Sequence, residues 1–314
     1  MKIHHDFEQW KVKNPVITVG TFDGVHTGHR SILKEMRRSA EQLGGETVVF
    51  TFWPHPRIVL GKAQHAFRLL NTLEEKIYLF EKSGVDHLLV YQFTPEFSGL
   101  PAETFVEEYL VRKCGVRMLV MGYNHHLGRN REGGFEMIQQ ASDRFGFETK
   151  RVEAETVTGM KVSSTSIREF LQKGDVEQAN RMLGEPYPIR GTVDRGNGVG
   201  RSMGFPTANI RITDERKLIP PDGVYAVQVF LGGKKRYGMM NIGFRPTLHE
   251  ISYGRTIEVH IFGLDKDIYG ENIVVSLFKR IRTEKKFDGM EALREQLFHD
   301  KRDIMRYLGE EAAG

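Results

Sequence analysis

Residues 16–30 read Val16-Ile17-Thr18-Val19-Gly20-Thr21-Phe22-Asp23-Gly24-Val25-His26-Thr27-Gly28-His29-Arg30. The first four are β-branched and stop at a glycine, which marks a short strand. Beyond the loop, Ile32, Leu33, Met36, Ala40 and Leu43 recur at helical spacing, and Gly44-Gly45 closes the run. The string is therefore strand, glycine-rich loop, helix. A helix N-terminus offers unpaired amides and the positive end of a dipole, which suits phosphate. His26 and His29 sit there as donors for charge growing on a leaving pyrophosphate, and Gly28 lets the backbone come close to a nucleotide. No nucleophilic side chain is needed where the substrate's own phosphate attacks. For an isolated H-x-G-H a glycine-rich turn with two surface histidines is the favoured reading; the strand before it, the helix after it and the G-T-F-D-G-V prefix reverse that in favour of phosphate.

Outward from this string the first half continues as alternating strands and helices. Thr47 to Phe52, Val85 to Phe93, Arg117 to Gly122 and Phe147 to Glu153 read as strands, with amphipathic segments at Glu74 to Lys82 and Phe135 to Phe145. That alternation predicts an α/β, Rossmann-like domain with a parallel sheet. Ligands in such sheets lie outside the carboxyl ends of the strands, here the loops after Val19, Phe52 and Met121. From about Pro188 the strands shorten and turns recur. Tyr225 to Leu231, Gly232-Gly233 and Arg236 to Ile242 form a predicted hairpin. Ile257 to Phe262 and Asn272 to Phe278 flank a turn-rich stretch, and Leu293, Leu297, Ile304 and Leu308 outline a terminal helix. The expected second domain is a small antiparallel β-barrel. The boundary falls between Gly174 and Pro188, giving domains at 1–183 and 184–314.

With 314 residues, 39% hydrophobic and 27% charged, the chain is an ordinary globular composition of about two domains. A net charge of +4 suits anionic small molecules, and no clustered basic stripe with reading elements argues for nucleic acid. One cysteine, Cys114, excludes an internal disulfide framework and fits a reducing, cytoplasmic setting. No long apolar run indicates a membrane span, and a monomer or weak homo-oligomer is expected.

A second constellation lies in Gly191 to Asn209, G-T-V-D-R-G-N-G-V-G-R-S-M-G-F-P-T-A-N. It fits neither the P-loop nor the protein-kinase glycine loop. Gly196, Gly198 and Gly200 are either barrel corners or a backbone that approaches phosphate. Thr207 and Asn209 supply hard oxygens of the kind Mg²⁺ accepts alongside phosphate and water. Glu258 stands in the alternating run Ile257-Glu258-Val259-His260-Ile261, where a carboxylate ordinarily faces solvent. Arg282 sits in a basic cluster with Lys279, Arg280, Lys285 and Lys286.

These strings closely resemble, in order, those of the prokaryotic bifunctional riboflavin kinase/FMN adenylyltransferase family. The G-T-F-D-G-V-H-x-G-H string is followed by Thr51-Phe52-Trp53-Pro54-His55-Pro56, Gly122-Tyr123-Asn124-His125-His126-Leu127-Gly128 and Val162-Ser163-Ser164-Thr165-Ser166-Ile167-Arg168. In the second half come Pro206-Thr207-Ala208-Asn209, Gly223-Val224-Tyr225-Ala226, Asn241 to Thr247, Glu258-Val259-His260 and Arg282 to Phe287. The resemblance implies a nucleotidyltransferase domain followed by a riboflavin kinase domain, with riboflavin, FMN, FAD and ATP as the small-molecule partners. It implies nucleotide contacts from Gly20, Phe22, Asp23, Gly28, Ser164, Thr165 and Arg168, and from Gly196, Gly198 and Gly200 in the kinase half. Flavin contacts are implied for Phe52, Pro56, Asn124 and Arg282, Mg²⁺ ligation for Thr207 and Asn209, and general-base action on the ribityl hydroxyl for Glu258. The family usually follows the Asp or Asn of the third loop with Phe, whereas in this chain His125 follows Asn124.

Overall fold

Val16–Val19 is buried at every position, as a β-branched run in the middle of a sheet covered on both faces must be. In the computed structural model it is strand β2 of a six-stranded parallel sheet. The residues described are 1–61, 67–195, 200, 203–244 and 255–311. The sheet comprises β1 (Lys2–His4), β2, β3 (Thr47–Trp53), β4 (His87–Gln92), β5 (Met118–Gly122) and β6 (Glu148–Val152), in the order β1-β4-β3-β2-β5-β6. From β2 the chain moves outward through β3 to β4, then returns to add β5 and β6 on the other side. The direction of winding thus reverses between β2 and β5, and the crevice outside their carboxyl ends is where such sheets bind ligands.

Successive strand residues alternate between two cores. Ile17, Val19, Phe50 and Met121 pack with Phe105, Leu110 and Ile138 on one face. Val16, Val49, Leu88 and Val120 pack on the other with Ile32, Leu33 and Met36 of α1 (Thr27–Leu43) and with Leu79 and Phe80. The helix at α1 ends where predicted, because Gly44 adopts a left-handed φ of 56° and its amide caps the Ala40 carbonyl. Short helices α2 (Pro56–Val59), α4 (Pro95–Ser98) and α5 (Ala102–Thr104), a π-helix at Phe105–Lys113, α3 (Leu73–Lys82) and α6 (Phe135–Phe145) complete this part. Strand β1 was not anticipated. It is three residues long and mostly exposed, and its ladder to β4 is accompanied by stacking of His4 on His87.

The chain divides into two compact units, Met1–Ser164 and Thr165–Gly314. The second contains a closed antiparallel barrel, in the order β10-β13-β12-β11-β14-β9. Its strands are β9 (Tyr187–Asp194), β10 (Ala208–Arg211), β11 (Gly223–Leu231), β12 (Lys234–Phe244), β13 (Arg255–Ile261) and β14 (Asn272–Thr283). The predicted hairpin is present: Leu231 faces Lys234, and Gly232 and Gly233 take φ values of 53° and 76°, the left-handed pair that a two-residue hairpin turn requires. Ile257, Val259 and Ile261 are buried inside the barrel, so Glu258 and His260 point outward. The helix Met290–Glu311 lays Ile304 and Leu308 over Val224, Ala226 and Met239 on that outer surface.

Polar contacts fasten helices to this barrel, two of them largely buried. The first involves α8 (Val176–Leu183), which follows α7 (Ser164–Lys173). The Asn180 side-chain amide donates to the Leu277 and Phe278 carbonyls and its oxygen accepts from the Tyr187 amide at 2.8 Å. The second is the bidentate pair of Arg282 on β14 with Asp300 of the terminal helix, at 2.8–3.0 Å, with side-chain exposures of only 13% and 2%. Gln296 adds a third donor to Asp300 at 2.8 Å.

Asn180→Ala should lower stability by about 1–3 kcal/mol, because buried backbone groups lose their partners. Urea unfolding followed by circular dichroism would register this as an earlier transition. Asp300→Ala should cost more, about 3–5 kcal/mol, since it strands a largely buried guanidinium. Arg282→Met together with Asp300→Leu should recover most of that loss in the same assay.

Candidate active sites

The loop from Gly20 to His26 opens at the carboxyl end of β2, at the reversal of the sheet. Two of its non-glycine residues have left-handed backbone, Phe22 (φ 47°) and Val25 (φ 40°). For a β-branched or bulky residue this conformation is strained and persists only when the surroundings impose it. The surroundings do so at several points. The Asp23 carboxylate accepts from the Leu70 and Asn71 amides at 3.0 and 3.2 Å. Lys76 Nζ donates to the Thr21 carbonyl at 2.7 Å, and Ser164 Oγ donates to the Asp23 carbonyl at 2.7 Å.

His26 is the N-cap of α1, and its Nδ1 accepts from the His29 amide at 3.3 Å. An acceptor Nδ1 on a neutral ring leaves the proton on Nε2, so His26 presents an N–H donor at a helix N-terminus. The His29 ring stacks on it, with centroids 3.6 Å apart and planes 15° from parallel. Burial holds the His29 pKa well below its ordinary value, with further lowering from His26, Lys76 and His125. His29 is therefore a neutral imidazole at pH 7, and its buried Nδ1 has no partner among the described residues. The atoms nearest a Cβ added to Gly28 would be the His26 ring at 3.4 Å and Glu155 at 3.9 Å, ordinary contact distances, so packing there does not demand glycine.

The other residues singled out in this half are spread over neighbouring loops. Phe52 sits at the end of β3 against Phe50, Phe93, Phe97 and Phe105. Pro56 occupies the first turn of α2, and Asn124 is exposed after β5. Ser164 and Thr165 open α7, and Arg168 is buried one turn on. Gly20 lies under the Phe22 ring, where a Cβ would come to 3.0 Å. Asp23 is 1% exposed and spends one oxygen on the amides of Leu70 and Asn71, which gives it a loop-holding task the string alone did not reveal. Sequence reasoning also passed over Lys76, 1% exposed. The available signal was a lysine placed one turn before Phe80 on the apolar side of an amphipathic helix.

On the barrel, register brings the second set together. Glu258 lies directly opposite Asn209 on one side and Asn241 on the other, and Asn209 in turn faces Asp194. Opposed residues share a face, so these polar side chains form a row on the outer surface. Thr207 Oγ1 donates to Glu258 Oε2 at 3.0 Å, and His260 Nδ1 lies 2.8 Å from the Pro206 carbonyl. Alternate residues of β13 thus grip consecutive residues of the Pro206-Thr207 segment. Gly200 packs against that segment so closely that a Cβ would lie 2.3 Å from the Phe205 carbonyl oxygen. Gly196 and Gly198 lie outside the described residues. Asn209 borders a groove of about 510 Å³ that is also lined by Arg195, Arg211, Lys217 and Arg255. Arg282 is engaged by Asp300, as described above.

The donors gathered here, a hydroxyl, an amide oxygen and a carboxylate, are all hard oxygens, and the described residues contain no cluster of three or more His, Cys, Asp or Glu. That set fits a divalent cation that takes most of its ligands from phosphate and water. One surface feature departs from expectation. Arg30, Lys34, Arg37 and Arg38 of α1, with Lys82, line a cationic groove of about 390 Å³, a basic cluster written at helical spacing that the reading by composition had not picked out.

Two family models match the chain: FAD synthetase over residues 8–166 and Riboflavin kinase over residues 183–308. The bifunctional riboflavin kinase/FMN adenylyltransferase of Listeria monocytogenes is 38% identical over 98% of this chain and 97% of its own. That of Bacillus subtilis is 37% identical over 97% and 96%. A crystal structure described as a macrolide-efflux protein from Streptococcus pneumoniae is 31% identical, with a TM-score of 0.85 and coverage of 96% and 97%. Its description concerns that protein; among the described residues here no helix is long and apolar enough to cross a membrane. With both halves matched in order over nearly their full length, the chain belongs to the family of bifunctional riboflavin kinase/FMN adenylyltransferases.

Proposed function

We infer that the chain phosphorylates riboflavin to FMN and then adenylylates FMN to FAD, at two separate sites. The observation that carries this is the pairing of two unlike constellations in one chain. One is a stacked His26–His29 pair at a helix N-terminus, and the other is a Thr207–Glu258 hydrogen bond beside Asn209.

In the kinase half, Glu258 accepts the proton of the riboflavin 5′-hydroxyl as that oxygen attacks the γ-phosphorus of ATP, and ADP departs. Thr207 holds the carboxylate through its hydroxyl and orients it. Mg²⁺, held by Thr207 and Asn209, would neutralise charge on the ATP phosphates. In the adenylyltransferase half, a phosphate oxygen of FMN attacks the α-phosphorus of a second ATP and pyrophosphate leaves. The imidazoles of His26 and His29, at the N-terminus of α1, donate to the charge growing on that leaving group. Ser164, Thr165 and Arg168 hold phosphates, and Gly20, Phe22 and Gly28 shape the nucleotide cradle, with Asp23 fixing it. Phe52, Pro56 and Asn124 form the flavin side of this site, with His125 beside them. That Cys114 is the sole cysteine, so that no internal disulfide can form, supports a cytoplasmic setting. A functional boundary at 183/184 is supported by the match to the Riboflavin kinase model, which begins at residue 183.

His29→Ala should reduce FMN adenylylation by about a hundredfold to a thousandfold, the usual cost of one such donor, while riboflavin phosphorylation is unchanged. Glu258→Gln should do the reverse. Separate assays starting from riboflavin and from FMN check this; either substitution abolishing both activities would contradict two independent sites.

A further inference from the structure

The chemistry above gives no task to Lys76. It lies on the inner face of α3, its Nζ 2.7 Å from the Thr21 carbonyl oxygen and 5.4 Å from the centre of the Trp53 ring. A fully buried ammonium works against folding unless something compensates it. Burial lowers its pKa from 10.5 to about 8, and the Asp23 carboxylate opposes the shift. The sign is informative: the fold disfavours the charged form, so the penalty is present below about pH 8 and is relieved as pH rises from there towards 10.5. An unbranched apolar side chain such as Met would fill the space without that penalty. The Thr21 oxygen would still have the Thr51 hydroxyl at 3.4 Å.

What the ammonium secures is the entry to the strained turn. Thr21 precedes Phe22, whose φ is 47°, and the loop runs on through Val25 to the N-cap His26. Asp23 ties the middle of the loop to the amides just before α3, and Lys76 ties its start to the first turns of the same helix. We propose that Lys76 is a positioning residue for adenylyl transfer: its ammonium holds the Thr21 carbonyl and, through it, the loop that presents His26 and His29. This rests on the assignment of adenylyl transfer to that loop. Among the described residues, the charged and titratable groups around Lys76 are Asp23 on the loop and His29 on α1, with Glu75 next to it on its own helix. His29 also feels His26 and His125, and Glu75 is committed to the capping box with Thr72.

The test is kcat/KM for FMN adenylylation between pH 6.5 and 9.5 for the wild-type chain, Lys76→Met and Lys76→Arg, with thermal melting of each. Free-enzyme groups govern this parameter. The wild type should lose activity as pH rises through about 8. Lys76→Met should be about tenfold to a hundredfold slower at pH 7, as for a reacting group displaced by roughly an ångström, without the alkaline fall and without a lower melting temperature. Lys76→Arg should keep activity and carry the alkaline limb to higher pH. A wild-type profile flat to pH 9.5, or a Lys76→Met chain within twofold of wild type, would overturn the proposal. So would activity in the variants falling only in step with melting. Should Lys76→Met fail to fold, the wild-type and Lys76→Arg profiles decide. Absence of FAD from the wild type itself would instead strike at the assignment of adenylyl transfer.

Discussion

Between Val19 and Thr27 the backbone passes through left-handed conformations at Phe22 and Val25, residues that ordinarily avoid them. The buried Asp23 carboxylate makes this tenable, because its oxygen collects two backbone amides from the approach to α3. A charged acceptor on backbone donors is among the stronger hydrogen bonds available to a protein. Once that turn is fixed, α1 starts at Thr27 with His26 as its cap, and the two imidazoles are stacked at a helix N-terminus. Their burial keeps His29 neutral, which makes it a donor or acceptor without competing charge. The same turn stands at the reversal of strand order between β2 and β5, so a local constraint and a topological one put the histidines in the crevice.

The barrel reaches its site by a different route. Here register brings Asp194, Asn209, Glu258 and Asn241 into one outward row. The Pro206-Thr207 segment is then held against it by Glu258 and His260 from alternate positions of β13. Closure of the barrel matters because it leaves no slack in that register, and a slip of one residue would send Glu258 into the apolar interior.

Much of this could be read directly from the residues, and the unread part has physical reasons. The strand–loop–helix at 16–43 and the Gly232-Gly233 hairpin were legible because periodicity and turn chemistry are local. The order of strands in the sheet was not, since parallel pairing joins residues far apart in sequence. Glu258 illustrates the same limit: alternation alone placed it on the outer face, correctly, but only cross-strand partners give it Thr207, Asn209 and Asn241. Arg282 looked like one of several surface cations until the terminal helix supplied Asp300. Lys76 was passed over because propensity does not report what lies beneath a helix. Asp23 was legible as part of the motif and illegible as its anchor.

The most direct test of the account is a time course of products when the whole chain is incubated with riboflavin, ATP and Mg²⁺, separated by chromatography. It should show FMN rising first, FAD following at the expense of FMN, and ADP and pyrophosphate both accumulating. FMN that accumulates without FAD would contradict the role given to the His26–His29 loop, and the absence of both flavin products would contradict the account as a whole.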